Sequence, residues 1–153
     1  MKDINRRSFL KQSLLISTSS IAFGEALLAK AEWSAADFAS GSFDATMKQL
    51  TKGKPIVDSN NIDLTIPEIA ENGALVPLSV TTSLKDVKSI AIVIEQNPVP
   101  LAIQAILLPE LEAFLSARIK IASSSFVFAI VEGEKVCYSV KKKVKVTIGG
   151  CGG

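Results

Sequence analysis

Histidine is missing from all 153 residues. Its absence removes the Ser-His and Cys-His pairs that activate many nucleophiles, together with every imidazole-based metal site. Cysteine is almost as scarce. Cys137 and Cys151 are the only two, too few to build a structural zinc site by themselves. No glycine-rich loop joins a strand-like run to a helix-like one, so no phosphate cradle is expected. No internal repeat is visible either. A sustained charge of one sign is also lacking. Residues 1–31 hold five basic groups (Lys2, Arg6, Arg7, Lys11, Lys30) and two acidic ones (Asp3, Glu25), leaving 12 basic and 13 acidic of the chain's 17 and 15. A net charge of −1 over that remainder does not ask for nucleic acid. What is present is an ordinary core-forming composition, 48% hydrophobic and 21% charged, in a length of roughly one domain.

The first 31 residues read as an export address. Adjacent Arg6 and Arg7 precede Phe9, Leu10 and Lys11, a mildly apolar stretch runs from Leu14 to Ala29, and Ala29-Lys30-Ala31 has the small-x-small form of a cleavage site. The arginine pair resembles a twin-arginine signal. The stretch is too polar for a comfortable membrane span. No lipobox cysteine follows it, so no lipid or membrane anchor is expected. A mature chain starting near Glu32 would then work in the periplasm, an oxidising compartment.

Residues 32–60 form an N-terminal segment with a helix expected within 33–53. Phe43, Met47 and Leu50 fall on one helical face, Ser42 suits the N-cap, and Gly53 suits the stop. That face would pack on the body or on a partner subunit. Residues 61–148 change texture to short β-branched runs separated by turn signals. The expected strands are 62–66, 75–82, 87–95, 101–108, 117–122, 126–131 and 135–148, with a hairpin at Glu132-Gly133-Glu134. Such spacing predicts an all-β, immunoglobulin-like antiparallel β-sandwich. Along 90–94 both faces are largely apolar, which makes the outer one a candidate partner interface.

The sequence closes on Gly149-Gly150-Cys151-Gly152-Gly153. Glycine removes bulk and widens the allowed backbone conformations, so residues 149–153 read as a thin, flexible arm presenting one thiol. The thiolate is the strongest side-chain nucleophile and bonds reversibly to sulfur. Cys151 is therefore the candidate covalent attachment site. Lys141, Lys142, Lys143 and Lys145 stand close by. They would give electrostatic support to a thiolate and to an anionic substrate, or else protect an edge strand from aggregation. A disulfide with Cys137 would need a fold-back, because a fully extended final strand places the two thiols about 46 Å apart. Cys137 itself reads as a small strand residue.

These residues carry a resemblance. The Gly-Gly-Cys-Gly-Gly terminus behind Val144-Lys145-Val146-Thr147 resembles the SoxY family of the thiosulfate-oxidising Sox system. So do Ile66-Pro67-Glu68-Ile69-Ala70-Glu71-Asn72-Gly73-Ala74-Leu75-Val76-Pro77 and Glu95-Gln96-Asn97-Pro98-Val99-Pro100-Leu101. The resemblance implies the immunoglobulin-like fold and a heterodimer with SoxZ. It implies that Cys151 receives thiosulfate through the cytochrome SoxAX. It further implies that SoxB removes sulfate and that a downstream sulfane-sulfur oxidase takes the remaining sulfur. Sulfide is a second candidate substrate. On this reading the chain is a carrier rather than an enzyme, with no cofactor and no metal of its own. Cys137 departs from the family pattern, in which the tail cysteine usually stands alone.

Three other readings stay open at this point. One is a ubiquitin-like sulfur carrier loaded on the carboxylate of Gly153. Another is an adhesive immunoglobulin-like module with an incidental tail. The last is a dithiol redox protein that joins Cys137 to Cys151.

Overall fold

The computed structural model describes residues 38–109 and 111–147. The chain divides into two units, Met1–Trp33 and Ser34–Gly153, and every described residue belongs to the second. The expected signal segment 1–31 and the arm 149–153 lie outside the described residues.

Among the described residues, one helix precedes the strands. Helix α1, Phe43–Thr51, starts where the Ser42 side chain accepts a hydrogen bond from the Ala45 amide, a role suited to a short hydroxyl at an N-cap. It ends at Thr51, where the C-cap Lys52 (φ 52°) and the following Gly53 (φ 78°) both adopt the left-handed conformation, so Gly53 stands at the stop as expected. The helix is shorter than its expected window.

Nine strands follow among the described residues: β1 Ile56–Asp58, β2 Ile62–Thr65, β3 Ile69–Ala70, β4 Val76–Thr82, β5 Ser89–Ile94, β6 Leu101–Ile106, β7 Phe114–Ile119, β8 Ser125–Glu132 and β9 Cys137–Val146. They form two sheets. One is three-stranded in the order β2-β4-β7, and the other runs β1-β9-β8-β5-β6 with β3 also on β9. The result is the expected immunoglobulin-like sandwich, antiparallel except for β1 and β3, which both run parallel to β9.

The two sheets meet through side chains of period two. Ile62, Leu64, Val76, Leu78 and Val80 from the small sheet pack against Ile90, Ile92, Ile94, Val127, Ala129, Val131 and Val144 from the large one. Burying each Val, Leu or Ile side chain among these stabilises by about 1.5–3 kcal/mol. Strand β5 is buried at all six positions. Its second face, Ala91 and Val93, lies under a separate cluster with Leu101, Ile130 and Cys137, against which Phe38, Phe43, Met47, Leu50 and Phe128 pack. Helix α1 thus spends its apolar face on this chain's own large sheet.

That placement corrects one expectation. The outer face of 90–94 is not an open partner surface, because α1 covers it. Exposed large apolar side chains sit elsewhere, including Ile106, Leu108, Leu111 and Phe114 around the β6–β7 connection. Strand β7 also starts three residues before its expected window and stops at Ile119. Past that point Asn97 replaces a neighbouring strand. Its side-chain NH2 donates to the Lys120 carbonyl (2.8 Å) and its Oδ1 accepts from the Ala122 amide (2.9 Å).

Candidate functional site

Cys151 and Gly149, Gly150, Gly152 and Gly153 lie outside the described residues. The site is therefore read from where β9 delivers the chain into them. The last turns of β9 are held from both sides. On one side the Lys145 amide donates to the Glu68 carbonyl (2.8 Å) and the Thr147 amide to the Ala70 carbonyl (3.0 Å). On the other, the Val146 amide donates to Ser124 Oγ (3.0 Å). Backbone bonds on one flank and the Ser124 side chain on the other fix position and direction up to Thr147. An arm starting there has a rigid root.

Two internal motifs converge on this root. Residues 66–77 supply β3, the parallel partner of Lys145 and Val146. They also supply Asn72, whose Oδ1 accepts from the Ala74 amide (2.9 Å) and tightens the turn around Gly73. Gly73 is there for space. A Cβ at this position would lie 2.5 Å from the Ile121 carbonyl oxygen and 2.9 Å from Val146 Cγ1. The Gly73 carbonyl accepts from the Ile121 amide (2.7 Å). Asn97, from the second motif, then fixes the residues on either side of Ile121. Both motifs brace the end of the sandwich from which the tail departs.

The four lysines are split by the pleat. Lys141, Lys143 and Lys145 share the face of β9 that bears Cys137, while Lys142 shares the face of Val144. Lys141 Nζ stands 5.5 Å from the Phe126 ring centre and 5.8 Å from that of Phe128, and Lys143 Nζ is 5.8 Å from Phe126. These are cation–π distances. The stems cover two half-buried rings while the charges stay in water. Lys142, Lys143 and Lys145 also line an open cleft of about 700 Å³ beside the arm root, with Glu68, Ile69 and Ser124. Sequence reasoning saw the lysines but missed Glu68, Ile69 and Ser124 as their neighbours. The serine run at 123–125 signalled only a strand break, and nothing local announces a two-residue parallel strand.

Cys137 sits at the other end of β9. It is buried, 1% exposed, under α1. Its amide donates to the Pro55 carbonyl (2.9 Å). Burial pushes its thiol pKa up, and the negative charge of Glu132 adds to the shift, so the nucleophilic thiolate is disfavoured there. Covalent reach also separates it from Cys151. Strand β9 runs unbroken from Cys137 to Val146, about 30 Å at 3.3 Å per residue. The five residues from Val146 to Cys151 extend at most about 18 Å, and a disulfide tolerates about 7 Å between Cα atoms. The two fall short of about 30 Å, which argues against a Cys137–Cys151 bridge within one chain and against the dithiol redox reading.

Near Cys137, Lys54 Nζ pairs with Glu132 Oε1 at 2.7 Å, and Ser89 Oγ donates to Glu132 Oε2 at 2.9 Å. Burial pushes the Glu132 carboxyl up, but the hydrogen bonds from Lys54 and Ser89 hold it below its usual range. The Lys54 ammonium is raised by its bond to Glu132. The network ties the segment after α1 to β8 and β5.

The sequence model described as "Sulfur oxidation protein SoxY" matches residues 47–151, a span that holds both internal motifs and ends on Cys151. Among solved structures, the chain is similar to one described as the sulfur carrier protein SoxY from Chlorobium limicola f thiosulfatophilum. The two are 32% identical with a TM-score of 0.63, over 69% of this chain and 96% of the other. No curated protein matches. With the family pattern matched over more than two thirds of the chain and the sandwich reproduced, the chain belongs to the SoxY family of sulfur oxidation proteins.

Proposed function

We propose that this chain carries sulfur substrates covalently on Cys151 and presents them to partner enzymes in the periplasm after twin-arginine export. The observation that carries the reading is the arm root. The last described residues are clamped on both flanks, and the family match continues past them to Cys151. The similar solved structure is described as a sulfur carrier protein.

The chemistry asked of the chain is modest. A Cys151 thiolate and thiosulfate combine into a cysteine S-thiosulfonate with loss of two electrons, which the cytochrome SoxAX accepts. Water then cleaves the S–SO3 bond at SoxB, releasing sulfate and a proton and leaving a persulfide on Cys151. A sulfane-sulfur oxidase takes the outer sulfur. This chain contributes the nucleophile, the arm and its rigid origin. It supplies no cofactor, acts as carrier rather than enzyme, and works as a heterodimer with SoxZ. Lys141, Lys142, Lys143 and Lys145 raise the local positive potential near the arm, which favours the thiolate and attracts the thiosulfate dianion.

The test is a Cys151→Ser chain reconstituted with SoxZ, SoxAX and SoxB and supplied with thiosulfate. Sulfate release should fall to background, while Cys137→Ser retains it. Full release from the Cys151→Ser chain would reject the thiol tether and favour loading on the Gly153 carboxylate.

A further inference from the structure

Three lysines of β9 stand unpaired on one face. Lys141, Lys143 and Lys145 alternate along the outer surface of the large sheet, and all three are exposed. The register of β8 and β9 sets Lys143 opposite Phe126 and Lys141 opposite Phe128, and both stems rest on these half-buried rings. Helix α1 meets this face at Phe128, whose ring centre lies 4.9 Å from that of Phe43. Phe126 and the lysines continue the face toward the arm root. Among the described residues the one ion pair is Lys54–Glu132, so no described carboxylate pairs with the three ammonium groups. We propose that this face is a docking surface for the enzymes that act on Cys151, and that each of them meets it with an acidic rim around the opening that admits the arm. The inference rests on the carrier reading above and adds the surface used and the charge of the partner.

The length of the arm selects the place. Cys151 lies four residues past Thr147, at most about 14 Å of chain. An enzyme that reaches Cys151 inside a channel must therefore bring its own surface against this end of the sandwich. Lys145 lies about 7 Å, Lys143 about 13 Å and Lys141 about 20 Å behind Thr147 along β9. All three fall within the breadth of about 30 Å that an ordinary interface of about 800 Å² per partner covers.

Charge selects the partner. Lysine stems already seated on rings lose little freedom on docking, and exposed cations steer an oppositely charged surface toward encounter. The pleat separates this role from the attraction of small anions. Lys142 is exposed and equally near the root, but it projects from the opposite face with Val144. A diffuse potential uses all four lysines, whereas a docked surface uses three.

The experiment uses the heterodimer with SoxZ, loaded on Cys151 with tetrathionate and checked by intact mass. The thiolate attacks a central sulfur, forms the Cys151 S-thiosulfonate and expels thiosulfate, so atoms and charge balance without an external oxidant. Sulfate release by SoxB is then followed against carrier concentration. Glutamine keeps most of each stem and removes the charge. Lys143→Gln should raise KM about three-fold, and Lys141→Gln/Lys143→Gln/Lys145→Gln about ten-fold, as solvent-exposed ion pairs would give. The kcat should hold, because the lost contacts are made equally before and during the chemistry. Lys142→Gln should match wild type, and so should Lys141→Arg/Lys143→Arg/Lys145→Arg, which keeps the charges. Salt at about 0.5 M should raise the wild-type KM and leave the triple glutamine variant nearly unmoved.

The neighbouring pair decides the matter. A Lys142→Gln chain as impaired as Lys143→Gln would reveal a diffuse potential and overturn the docking face. An unchanged KM in the triple glutamine variant overturns it too. If wild type, but not that variant, then binds vesicles of phosphatidylglycerol, the face belongs to a lipid surface instead. These results leave the carrier reading standing, whereas failure of Cys151 to take up tetrathionate sulfur removes both.

Discussion

Gly73→Ala is the substitution whose cost can be worked most directly from the structure. The added methyl would sit 2.5 Å from the Ile121 carbonyl oxygen, 0.9 Å inside the 3.4 Å at which ordinary contact begins, and 2.9 Å from Val146 Cγ1. A rotating side chain can yield, but the Ile121 oxygen is backbone. Its residue is tied to Gly73 by the 2.7 Å bond from the Ile121 amide to the Gly73 carbonyl and is flanked by the two Asn97 bonds. Overpacking of this kind costs about 1–3 kcal/mol, and a weakened hydrogen bond adds about 0.5–1.5 kcal/mol. Alanine's smaller unfolded-state entropy returns about 0.4–1 kcal/mol. The expected net loss is therefore about 0.5–4 kcal/mol, with about 2 kcal/mol at its centre, read from urea unfolding. Gly41→Ala is the matched control, because no heavy atom lies within 4 Å of its added methyl. It should stay within about 0.5 kcal/mol of wild type. A Gly73→Ala chain as stable as the Gly41→Ala chain would refute the claim that Gly73 is required by close approach.

Two further outcomes follow from the same geometry. Iodoacetamide should label Cys151 in the folded chain at least about 100-fold faster than Cys137, and the two rates should converge in denaturant; comparable labelling in the folded chain would show that α1 does not shield Cys137. The Glu132 pair predicts a pH window. Its carboxyl is lowered below 4.5, so its stabilisation is present above that value and lost as pH falls through the lower folded value. The Lys54 ammonium is raised above 10.5, so its share is present below 10.5 and lost as pH rises through the higher folded value. The stability gap between wild type and Glu132→Gln should thus be flat from roughly pH 6 to 9 and close toward pH 3; a gap that persists undiminished at pH 3 contradicts the ion pair.

Period-two patterning made the sandwich legible, because Ile90, Ile92 and Ile94 had to face a core. The helix was legible from Ser42 and the Phe43, Met47, Leu50 spacing. What covers the far side of β5 was not, since an apolar face looks the same whether a helix of the same chain or a partner buries it. The parallel strands β1 and β3 left no local trace. Two or three residues carry no periodicity, and their partner lies some 80 residues away in sequence. Strand β7 was misplaced because the alternation Ile119, Lys120, Ile121, Ala122 continues past the strand. Only the Asn97 side chain, distant in sequence, shows that the ladder has ended. At the site, the sequence exposed the thiol, the glycines and the lysines. It did not show that Ser124 and the 66–77 segment brace the same end of β9.

The most direct test of the carrier account is the intact mass of the mature chain purified from periplasm of thiosulfate-grown cells, with peptide mapping of the C-terminus. The account predicts reducible adducts of sulfur or thiosulfonate on Cys151, none on Cys137, and a starting residue near Glu32. An unmodified Cys151 under every sulfur source supplied, with the chain folded and exported, would contradict it.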